Sequence, residues 1–484
     1  MAAPVDYSTY LVTDSTAGIL GDRDLCQVVE AALQGGVTIV QYRDKHSSRD
    51  VVVETAKKLH DICKRFQVPF LINDQVDVAA EIGCEGAHIG QDDLDIKQAR
   101  ELLGPNKIIG VTASSIEEAL QAAKAGADYL GIGTVYSTQT KKDTKSIIGP
   151  SGVRTILSQL AASRHGAIST VCIGGINISN TQQVMTQSSA PAKSLDGVAV
   201  VSAIIAAADP AAAARELSSK VLTAKVPDVI RAVAKKTPLS HNMTNLVVQN
   251  FAANVGLAVG ASPIMANYAE EAADLAKLGG SLVINMGTVT PDGLKNYIQA
   301  LEAYNAAGGP VLLDPVGAGA TAVRRSAVKT LLAAGSFAVI KGNEGEIQTL
   351  HGASVTQRGV DSDSTLSLAQ RASVVQSVAR AHGSVVLMTG VTDILSDGRR
   401  TFRVDNGHEL LAQRHDRRLP EDTLVAAVAG TAMFGVAAEL AAGRAEVRGP
   451  GTFVPAFIDE LYGVRKATAE NDSRWLSLVK IARI

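Results

Sequence analysis

The first 210 residues alternate between short apolar segments and longer helical segments, and this alternation limits the possible folds more than any other feature. Stretches rich in Ala, Leu, Glu and Lys with helical spacing, such as Asp50–Phe66 and Ser115–Lys124, separate most of the strand candidates. These candidates are Thr9–Asp14, Val37–Arg43, Pro69–Asp74, Gly86–Gly90, Lys107–Ala113, Tyr129–Gly133, Ser169–Gly175 and Gly197–Ser202. Eight such units predict a (β/α)8 TIM barrel. The spacing alone leaves a doubly wound open sheet as the alternative.

The remaining sequence predicts a second α/β domain. A chain of 484 residues is too long for one ordinary hydrophobic core. A helical stretch around Ala208–Lys225 closes the first half, and Pro227 precedes a fresh amphipathic helix, so we place the domains at residues 1–223 and 224–484. Beyond this boundary, Ala-rich helices alternate with strands, which predicts a parallel sheet flanked by helices. The strand candidates are Ser281–Met286, Pro310–Asp314, Phe337–Lys341 and Ser384–Thr389.

Composition narrows the classes of partner. The formal net charge is −2 and aromatic residues make up 4% of the chain, so neither a basic field nor stacking platforms favour nucleic acid. The four cysteines form no CxxC pair, which predicts free thiols in a reducing compartment. The N-terminus lacks the features of a signal peptide, and no apolar stretch of transmembrane length is evident. We therefore expect a cytoplasmic protein that binds neither nucleic acid nor membrane.

Polar residues end the predicted barrel strands, which is where barrel enzymes place their chemistry. Gln41, Arg43 and Lys45 end the second strand, and their alternation places them on one face. Two cations and an amide suit a diphosphate, with a solvated basic strand end as the alternative. Asp74 and Asp93 follow the third and fourth strands. Paired carboxylates suit Mg²⁺, which in turn suits a phosphorylated substrate.

The other strand ends are also polar or glycine-rich. Thr112 ends the fifth strand, and a hydroxyl-rich loop with two lysines follows the sixth at residues 137–143. A Gly-Gly pair at 174–175 and a Val-Ser pair at 201–202 end the last two strands, where barrels often bind phosphate through backbone N–H groups. Each feature is weak alone, but together they predict an organised rim.

This first half resembles thiamine-phosphate synthase over nearly its whole length. The matching segments are QYRDK at 41–45, LINDQVDVA at 71–79, HIGQDD at 88–93, STQTKKD at 137–143, IGGI at 173–176 and VSAI at 201–204. That family joins a pyrimidine methyl diphosphate to a thiazole phosphate and releases diphosphate. The resemblance implies pyrimidine-diphosphate ligands at Gln41, Arg43, Lys45, Asn73 and Lys141, Mg²⁺ ligands at Asp74 and Asp93, and thiazole-phosphate ligands at Thr138, Thr140, Gly175, Val201 and Ser202. Thr112 stands where some members have serine, which keeps a hydroxyl in the substrate site.

The residue types fit that chemistry. Departure of diphosphate leaves a pyrimidine-stabilised carbocation, which the thiazole nitrogen traps, and no strong general base is required. The catalytic task, which falls to Arg43, Lys45 and Lys141 with Mg²⁺, is to stabilise the charge of the leaving group and exclude water. Thiazole tautomerase shares the fold but lacks the diphosphate-binding set, so the presence of that set here disfavours it. A non-catalytic ligand-sensing or assembly protein is an alternative of another class.

Charged residues also end the strands of the second half. Asp314 precedes a glycine-bearing loop, Lys341 and Glu346 lie within one turn-like segment, and Thr389 precedes a glycine. Such groups around Mg²⁺ and a nucleotide suit phosphoryl transfer, with turns and helix caps as the alternative. The sequence contains neither a P-loop motif nor GxGxxG.

This half resembles hydroxyethylthiazole kinase, of the ribokinase-like fold. The matching segments are PLSHNMTNLVVQNFAANVGLAVGASPIMA at 238–266, LDPVGAG at 313–319, KGNEGEI at 341–347, TG at 389–390 and GPGTFVPAFIDELY at 449–462. The resemblance implies that Met265 lines a thiazole pocket, that Lys341 and Thr389 contact ATP, and that Asp314 and Glu346 serve the metal–phosphate region. The kinase would make the thiazole phosphate that the barrel consumes, and fungal thiamine-biosynthetic enzymes fuse these activities. Kinases of this family usually build their sites between subunits, which predicts a homo-oligomer.

One segment departs from the kinase pattern. The family carries a Gly-Thr-Gly-Cys segment at a helix start, whose N–H groups bind the transferred phosphoryl. Here the expected place reads RHDRRLPED at 414–422, and no cysteine follows Cys172. We interpret Gly430-Thr431, within an Ala/Val-rich helix, as helix packing. Since positioning and electrostatics supply nearly all catalysis of phosphoryl transfer, the loss is serious. Either this domain is a degenerate kinase kept as a scaffold or thiazole-binding module, or a segment of the natural chain is missing from this sequence.

Overall fold

The computed structural model describes residues 5–138, 140, 146–353, 366–411 and 422–484. The chain divides into two compact units between Ala224 and Lys225. Each unit has its own buried core.

The first unit is a closed barrel of eight parallel strands, in which β8 pairs with β1. The predicted barrel is confirmed, and the open-sheet alternative is wrong. The strands are β1 Thr9–Val12, β2 Ile39–Tyr42, β3 Phe70–Asn73, β4 Gly86–Ile89, β5 Ile108–Ala113, β6 Tyr129–Ile132, β7 Ser169–Ile173 and β8 Gly197–Val200. The helices are α1 Leu25–Gln34, α2 Arg49–Phe66, α3 Val76–Ile82, α4 Ile96–Leu103, α5 Ile116–Ala125, α6 Gly149–Ala162, α7 Thr181–Ser188 and α8 Ser202–Ile205.

Local signals explain where the barrel helices begin and end. The side chains of Asp24, Asp95 and Ser115 accept backbone N–H bonds at the starts of α1, α4 and α5. Gly126 follows α5 with φ +96°, a conformation that favours glycine. The apolar faces of the helices pack on the outside of the barrel, while a smaller cluster that includes Tyr7, Tyr10 and Tyr129 fills its interior.

At the amino ends of the barrel strands, the same side-chain-to-backbone hydrogen bond recurs and joins the strands in pairs. In four strand pairs, the side chain just before the even-numbered strand accepts the backbone N–H of its register partner. That partner is the first or second residue of the odd-numbered strand. The bonds are Thr9 N–H to Thr38 Oγ1 at 3.0 Å, Phe70 N–H to Glu85 Oε2 at 3.0 Å, Ile109 N–H to Asp128 Oδ2 at 2.7 Å, and Thr170 N–H to Asp196 Oδ2 at 2.7 Å. We call these the four strand clamps. They satisfy backbone donors at the barrel end opposite the polar rim.

The helix after the barrel does not break where expected. We predicted that a fresh helix begins after Pro227, but α9 runs without interruption over Pro210–Lys236. A proline inside a helix removes one backbone hydrogen bond and strains the preceding turn. Here Val226 and Ile230 on either side of it are buried in a shared core, so packing outweighs the local cost.

The second unit contains a nine-stranded sheet among its described residues, in the order β10-β9-β11-β12-β13-β14-β15-β16-β17. Its strands are β9 Leu239–Met243, β10 Ser262–Met265, β11 Gly280–Asn285, β12 Val311–Asp314, β13 Val339–Asn343, β14 Val385–Thr389, β15 Asp393–Ser396, β16 Thr401–Val404 and β17 Ile481–Arg483. Its α-helices are α10 Gln249–Ala258, α11 Ala272–Lys277, α12 Pro291–Ala306, α13 Ala322–Ala334, α14 Glu344–Leu350, α15 Leu368–His382, α16 Thr423–Ala442 and α17 Pro450–Ala469. The 3-10 helices are Ala269–Glu271, Glu409–Leu411 and Arg474–Leu478.

The prediction of a parallel sheet is only partly correct. Strands β9 to β14 are parallel, but β15, β16 and β17 each pair antiparallel with their predecessor in the sheet. A tight turn joins β15 to β16, in which Gly398 has φ +89° and Asp397 Oδ1 accepts the N–H groups of Arg399 and Arg400.

Helix α16 corrects a further expectation. By length and composition it is apolar enough to cross a membrane, whereas we found no such stretch in the sequence. In the structure, 78% of its most apolar window is buried inside the protein. Its side chains pack against α17 and α10 in an aromatic and aliphatic core. This burial is typical of the core helix of a globular domain.

Candidate active sites

Two cations at the rim of the barrel are each held by a carboxylate. Arg43, just past β2, donates to Asp14 Oδ2 at 3.2 Å, and its backbone N–H donates to Thr13 Oγ1 at 3.0 Å. Lys45 Nζ lies 3.0 Å from Asp74 Oδ2 and stays half-exposed. Each predicted cation is therefore oriented by a carboxylate at a neighbouring strand end, Arg43 by Asp14 and Lys45 by Asp74.

Asp44 between these cations anchors the loop that carries them. Its carboxylate accepts bonds from the backbone N–H groups of His46 and Ser47 at 3.0 Å each and from the hydroxyls of Ser47 and Ser15 at 2.8 and 3.1 Å. Burial alone would raise the pKa of Asp44, but these bonds outweigh it and hold the pKa below its usual value. Asp44 and Asp14 were not among the predicted site residues, although their place at strand ends was a signal.

Asp74 and Asp93 lie together, as predicted from their strand ends. Asp74 has φ +62° and its N–H donates to the carbonyl of His88 at 2.8 Å, while Asp93 Oδ2 accepts the N–H of Gly90 at 2.7 Å. Burial and a hydrogen bond with Asp74 raise the pKa of Asp93, and Lys45 opposes that rise. Two close carboxylates that resist joint ionisation would gain from a bound cation.

The donor set is small but compatible with magnesium. No group of three or more His, Cys, Asp or Glu side chains suited to a metal occurs within the described ranges. Mg²⁺ at phosphate-transfer sites is bound by one or two carboxylates together with substrate phosphate oxygens and waters. Asp74 and Asp93 fit that pattern, and the cations beside them fit the phosphate.

Gln41, Asn73 and Thr112 belong to a longer hydrogen-bond chain in the barrel interior. Gln41 Nε2 donates to Asn73 Oδ1 at 2.6 Å, and Gln41 Oε1 accepts from Tyr10 OH at 2.8 Å. The chain continues from Tyr10 OH to Tyr129 OH at 2.6 Å, to His88 Nδ1 at 2.7 Å, and from His88 Nε2 to Thr112 Oγ1 at 2.9 Å. Tyr10, His88 and Tyr129 were not among the predicted site residues. The HIGQDD segment, which contains the histidine, was the available signal.

The predicted thiazole-phosphate ligands lie on three adjoining segments. Gly174 and Gly175 have φ +106° and +65°, and a side chain on Gly175 would lie 2.7 Å from Tyr136 Cβ, so the turn must be glycine to pack against the segment after β6. Along that segment, the N–H of Thr140 donates to Thr138 Oγ1 at 3.2 Å. Val201 and Ser202 stand at the start of α8. Lys141 lies outside the described residues.

The second unit has a buried polar cluster at the ends of β11, β12 and β13. Asp314 Oδ2 accepts bonds from Lys341 Nζ at 3.3 Å and Asn285 Nδ2 at 2.9 Å. Asp314 Oδ1 is buried and has no hydrogen-bond partner in the part of the chain that the structure describes. The predicted residues Asp314 and Lys341 are thus brought together, and one carboxylate oxygen is left for a ligand.

Glu346 joins this cluster from the start of α14. Its Oε1 accepts the N–H of Gly317 at 2.7 Å and its Oε2 accepts the N–H of Asn343 at 2.8 Å, in a capping box. Burial, and then the charge of Asp314, raise the pKa of Glu346, while Lys341 lowers it. The structure therefore gives Glu346 both the helix-cap role and a place in the predicted charged site.

The other two predicted kinase residues flank this cluster. Thr389 ends β14, and its hydroxyl donates to the carbonyl of Gly342 at 3.3 Å. Met265 ends β10, opposite Asn242 of β9. We missed Arg324, whose guanidinium donates to the carbonyls of Met286, Gly287 and Val316 at 2.7–2.9 Å and so ties two loops of the site together. No motif marked it in the sequence.

Gly430 and Thr431 pack inside α16, as predicted. Thr431 is buried, and its hydroxyl donates to the carbonyl of Ala427 one turn earlier. Helix α16 begins at Thr423, and Asp422 caps it by accepting the N–H groups of Leu424 and Val425. Most of the segment that stands at the expected place of Gly-Thr-Gly-Cys lies outside the described residues.

Comparison with known proteins identifies both units. The family model "Thiamine monophosphate synthase" matches residues 9–204, and the model "Hydroxyethylthiazole kinase family" matches residues 230–414. Over 520 aligned positions the chain is 40% identical to a probable thiamine biosynthetic bifunctional enzyme of Schizosaccharomyces pombe, with all of both chains covered. The chain belongs to this family of bifunctional enzymes of thiamine biosynthesis. It carries a thiamine-phosphate synthase domain followed by a hydroxyethylthiazole kinase domain.

Single-domain relatives support the same division of the family. The first half is 46% identical over 217 residues to a thiamine-phosphate synthase of Chloroflexus aurantiacus, which covers 45% of this chain and 94% of that protein. The second half is 40% identical over 250 residues to a hydroxyethylthiazole kinase of Chloroflexus aggregans, which covers 49% of this chain and 88% of that protein.

Proposed function

We propose that the barrel joins hydroxymethylpyrimidine diphosphate to hydroxyethylthiazole phosphate, giving thiamine phosphate and diphosphate. The observation that carries this proposal is that two oriented cations, Arg43 held by Asp14 and Lys45 held by Asp74, share one rim with the adjoining carboxylates Asp74 and Asp93. Arg43 and Lys45, with Lys141, would bind the diphosphate, and Gln41 and Asn73 would bind the pyrimidine. Asp74 and Asp93 would hold Mg²⁺, which would supply charge neutralisation as the diphosphate leaves.

The protein groups would act by position rather than by proton transfer. Arg43 and Lys45 are already held by Asp14 and Asp74, so little reorganisation is needed when negative charge develops on the leaving group. The thiazole phosphate would bind near Gly175, Val201 and Ser202, with the hydroxyls of Thr138 and Thr140 above it. That placement would bring the thiazole nitrogen toward the pyrimidine carbon that the diphosphate leaves.

The direct test mixes the purified chain with the pyrimidine diphosphate, the thiazole phosphate and Mg²⁺ and measures thiamine phosphate by chromatography. We expect product, and we expect none when Mg²⁺ is replaced by excess chelator. An Arg43→Gln variant should retain the fold and lose most activity. Absence of product from the wild-type chain with Mg²⁺ would overturn the proposal.

We propose that the second domain binds thiazole and Mg-ATP but phosphorylates thiazole poorly. Binding of both substrates is supported because the residues that the kinase resemblance assigns to them are all present. These residues are Met265, Lys341, Thr389, Asp314 and Glu346. The glycine-rich phosphoryl site is absent from the sequence before α16. The fungal relative aligns over 520 positions against the chain's 484 residues, so at least 36 aligned positions have no counterpart here.

Replacing thiazole phosphate with thiazole plus ATP in the same assay separates the two activities. Product in the mixture with thiazole phosphate, but not in the mixture with thiazole and ATP, would indicate an active synthase with an impaired kinase. Product at comparable rates from both mixtures would refute the proposed impairment. Calorimetric measurement of ATP binding, with Lys341→Ala as the control, would show whether the nucleotide site itself is retained.

We further propose that the chain forms a homo-oligomer through the surface beside Met265. Leu246 and Val247 follow β9 with 83% and 90% of their surface exposed, and Tyr268 follows β10 with 63% exposed. Exposed apolar residues clustered beside a substrate site are typical of a protein interface. Light scattering on the intact chain would test this, and a monomer at micromolar concentration would contradict it.

The four free cysteines agree with the proposed cytoplasmic location.

A further inference from the structure

A continuous hydrogen-bond chain crosses the barrel from one side of the proposed pyrimidine site to the other. It joins side chains from six of the eight strands, β1 to β6, in the order Asn73, Gln41, Tyr10, Tyr129, His88 and Thr112. The five contacts lie between 2.6 and 2.9 Å. Asn73 and Gln41 at one end and Thr112 at the other are proposed to contact substrate. The three members between them, Tyr10, Tyr129 and His88, are buried.

The direction of one bond determines the direction of all the others. Tyr10 donates its single proton to Gln41 Oε1, so Tyr129 must donate to Tyr10. Tyr129 has then no proton left for His88, so His88 Nδ1 must carry a proton and donate to Tyr129. In a neutral His88 ring with the proton on Nδ1, Nε2 is unprotonated and accepts a hydrogen bond from the Thr112 hydroxyl.

This ordering gives the two ends opposite character. Gln41 uses its carbonyl oxygen inward and keeps its amide N–H groups as donors, one of them bound to Asn73. The Thr112 hydroxyl donates its hydrogen bond to His88, so its oxygen can act toward a ligand only as an acceptor. Turning the chain around would require the Gln41 amide to flip and each later proton to move. The hydrogen-bond character of Gln41 and of Thr112 is therefore coupled.

Two glycines show that the fold makes room for the middle of the chain. A Cβ atom on Gly110 would lie 2.1 Å from Tyr129 Cζ, and one on Gly131 would lie 3.0 Å from His88 Cε1. The rings thus occupy the space that any larger residue at those two positions would fill. Burial also raises the pKa of Tyr10 and of Tyr129, which keeps both hydroxyls protonated as the chain requires.

We propose that Tyr10, Tyr129 and His88 are positioning residues that set the donor end of the pyrimidine site at Gln41 and the acceptor end at Thr112. This inference rests on the proposed synthase function. An aminopyrimidine carries both ring nitrogens that accept and an amino group that donates, so a site with one donor end and one acceptor end is complementary to it. The oxygen lone pairs of Thr112 would also face the positive charge that develops when the diphosphate leaves.

The test compares two tyrosine hydroxyls in the same interior. Tyr129→Phe removes the central link. Tyr7→Phe is the matched control, because the Tyr7 ring is buried and its centroid lies 4.7 Å from that of Tyr129, yet its hydroxyl is not a link in the chain. We expect Tyr129→Phe to lower kcat/KM for the pyrimidine diphosphate by about tenfold or more, the scale of one disrupted buried hydrogen bond. KM for the thiazole phosphate should change less than about twofold, as should all parameters of Tyr7→Phe.

A double-mutant cycle separates positioning from a general loss of stability. In a Thr112→Val background only the Gln41 end remains to be set, so adding Tyr129→Phe should lower kcat/KM by clearly less than it does in the wild type. Independent effects of the two changes would refute the proposal. If Tyr129→Phe does not fold by circular dichroism, Tyr10→Phe breaks the neighbouring link and should show the same selective loss.

The controls keep this inference separate from the synthase assignment. A wild-type chain without synthase activity would overturn the assignment itself. An active wild type in which Tyr129→Phe and Tyr10→Phe behave like Tyr7→Phe would overturn only the coupling of Gln41 to Thr112.

Discussion

Removing one member of the buried pair between Lys341 and Asp314 should strongly destabilise the second unit. Their side chains are 11% and 4% exposed, and the charged atoms lie 3.3 Å apart. Lys341→Met keeps most of the aliphatic stem. Among the side chains that the structure describes, it leaves the Asp314 carboxylate with the Asn285 amide as its hydrogen-bond donor and with Glu346 as a like-charged neighbour. Removing one member of a buried pair costs about 3–5 kcal/mol, and since the Asn285 bond remains we expect about 3 kcal/mol.

Urea denaturation followed by tryptophan fluorescence measures this loss in the second unit alone. Trp475 is the single tryptophan of the chain, and it is buried in that unit with its indole N–H bound to Thr468 Oγ1. With an m-value of about 3 kcal/mol/M, the midpoint should fall by about 1 M. The matched control is Lys277→Met, because Lys277 and its partner Asp274 are 73% and 82% exposed, and its midpoint should not move.

The pH dependence gives a second, independent check. A carboxyl with a raised pKa in the fold favours folding only while protonated, and loses that contribution as pH rises through the folded pKa. The pKa of Glu346 is already raised by burial and Asp314, and removing Lys341 raises it further. The deficit of Lys341→Met should therefore shrink as pH falls from 7.5 toward about 5. Equal midpoints for Lys341→Met and Lys277→Met, or a deficit that does not change with pH, would refute this reasoning.

Three further predictions concern the metal, a helix cap and assembly. Asp93→Asn should raise the Mg²⁺ concentration for half-maximal synthase activity by more than about 100-fold, the upper range for loss of an outer-shell metal partner, and an unchanged Mg²⁺ titration would contradict the metal assignment. Asp422→Ala should cost the second unit about 2 kcal/mol, because it removes the cap of α16 and a bidentate bond from Arg400. Burial would raise the pKa of Asp422 but Arg400 lowers it overall, so this difference should persist at neutral pH and vanish only below about pH 4 in urea denaturation. Val247→Asp should shift the chain to a smaller species in light scattering without changing its circular dichroism, whereas an unchanged mass would exclude this surface from the interface.

The barrel was predictable because its signals are local. Each strand is a short apolar run that ends in a polar or glycine residue, and each helix fills the interval to the next strand. Position at a strand end also predicted that Arg43, Lys45, Asp74 and Asp93 follow neighbouring strands on one rim, because parallel strands deliver their carboxyl ends to the same end of the barrel.

The missed features depend on distant partners. Strands β15 and β16 contain Asp, Ser, Thr and Arg in four-residue segments, so no apolar run marks them, and β17 gains its hydrogen bonds from residues about 80 positions earlier. Tyr10 and Tyr129 look like ordinary apolar strand residues in the sequence. Their hydroxyls gain a role only through partners on other strands, which local sequence does not show. The continuity of α9 through Pro227 depends on packing that a local proline rule does not contain.

The four strand clamps divide evenly along the sequence. Those at Thr38 and Glu85 lie before the end of α4, and those at Asp128 and Asp196 lie after the start of β5. A cut in the surface loop at residues 104–107 would therefore leave two complete clamps in each fragment and interrupt none of them. This loop is the natural place to divide the synthase domain into two separately expressed halves whose reassociation restores the barrel, which would make the domain a candidate split reporter.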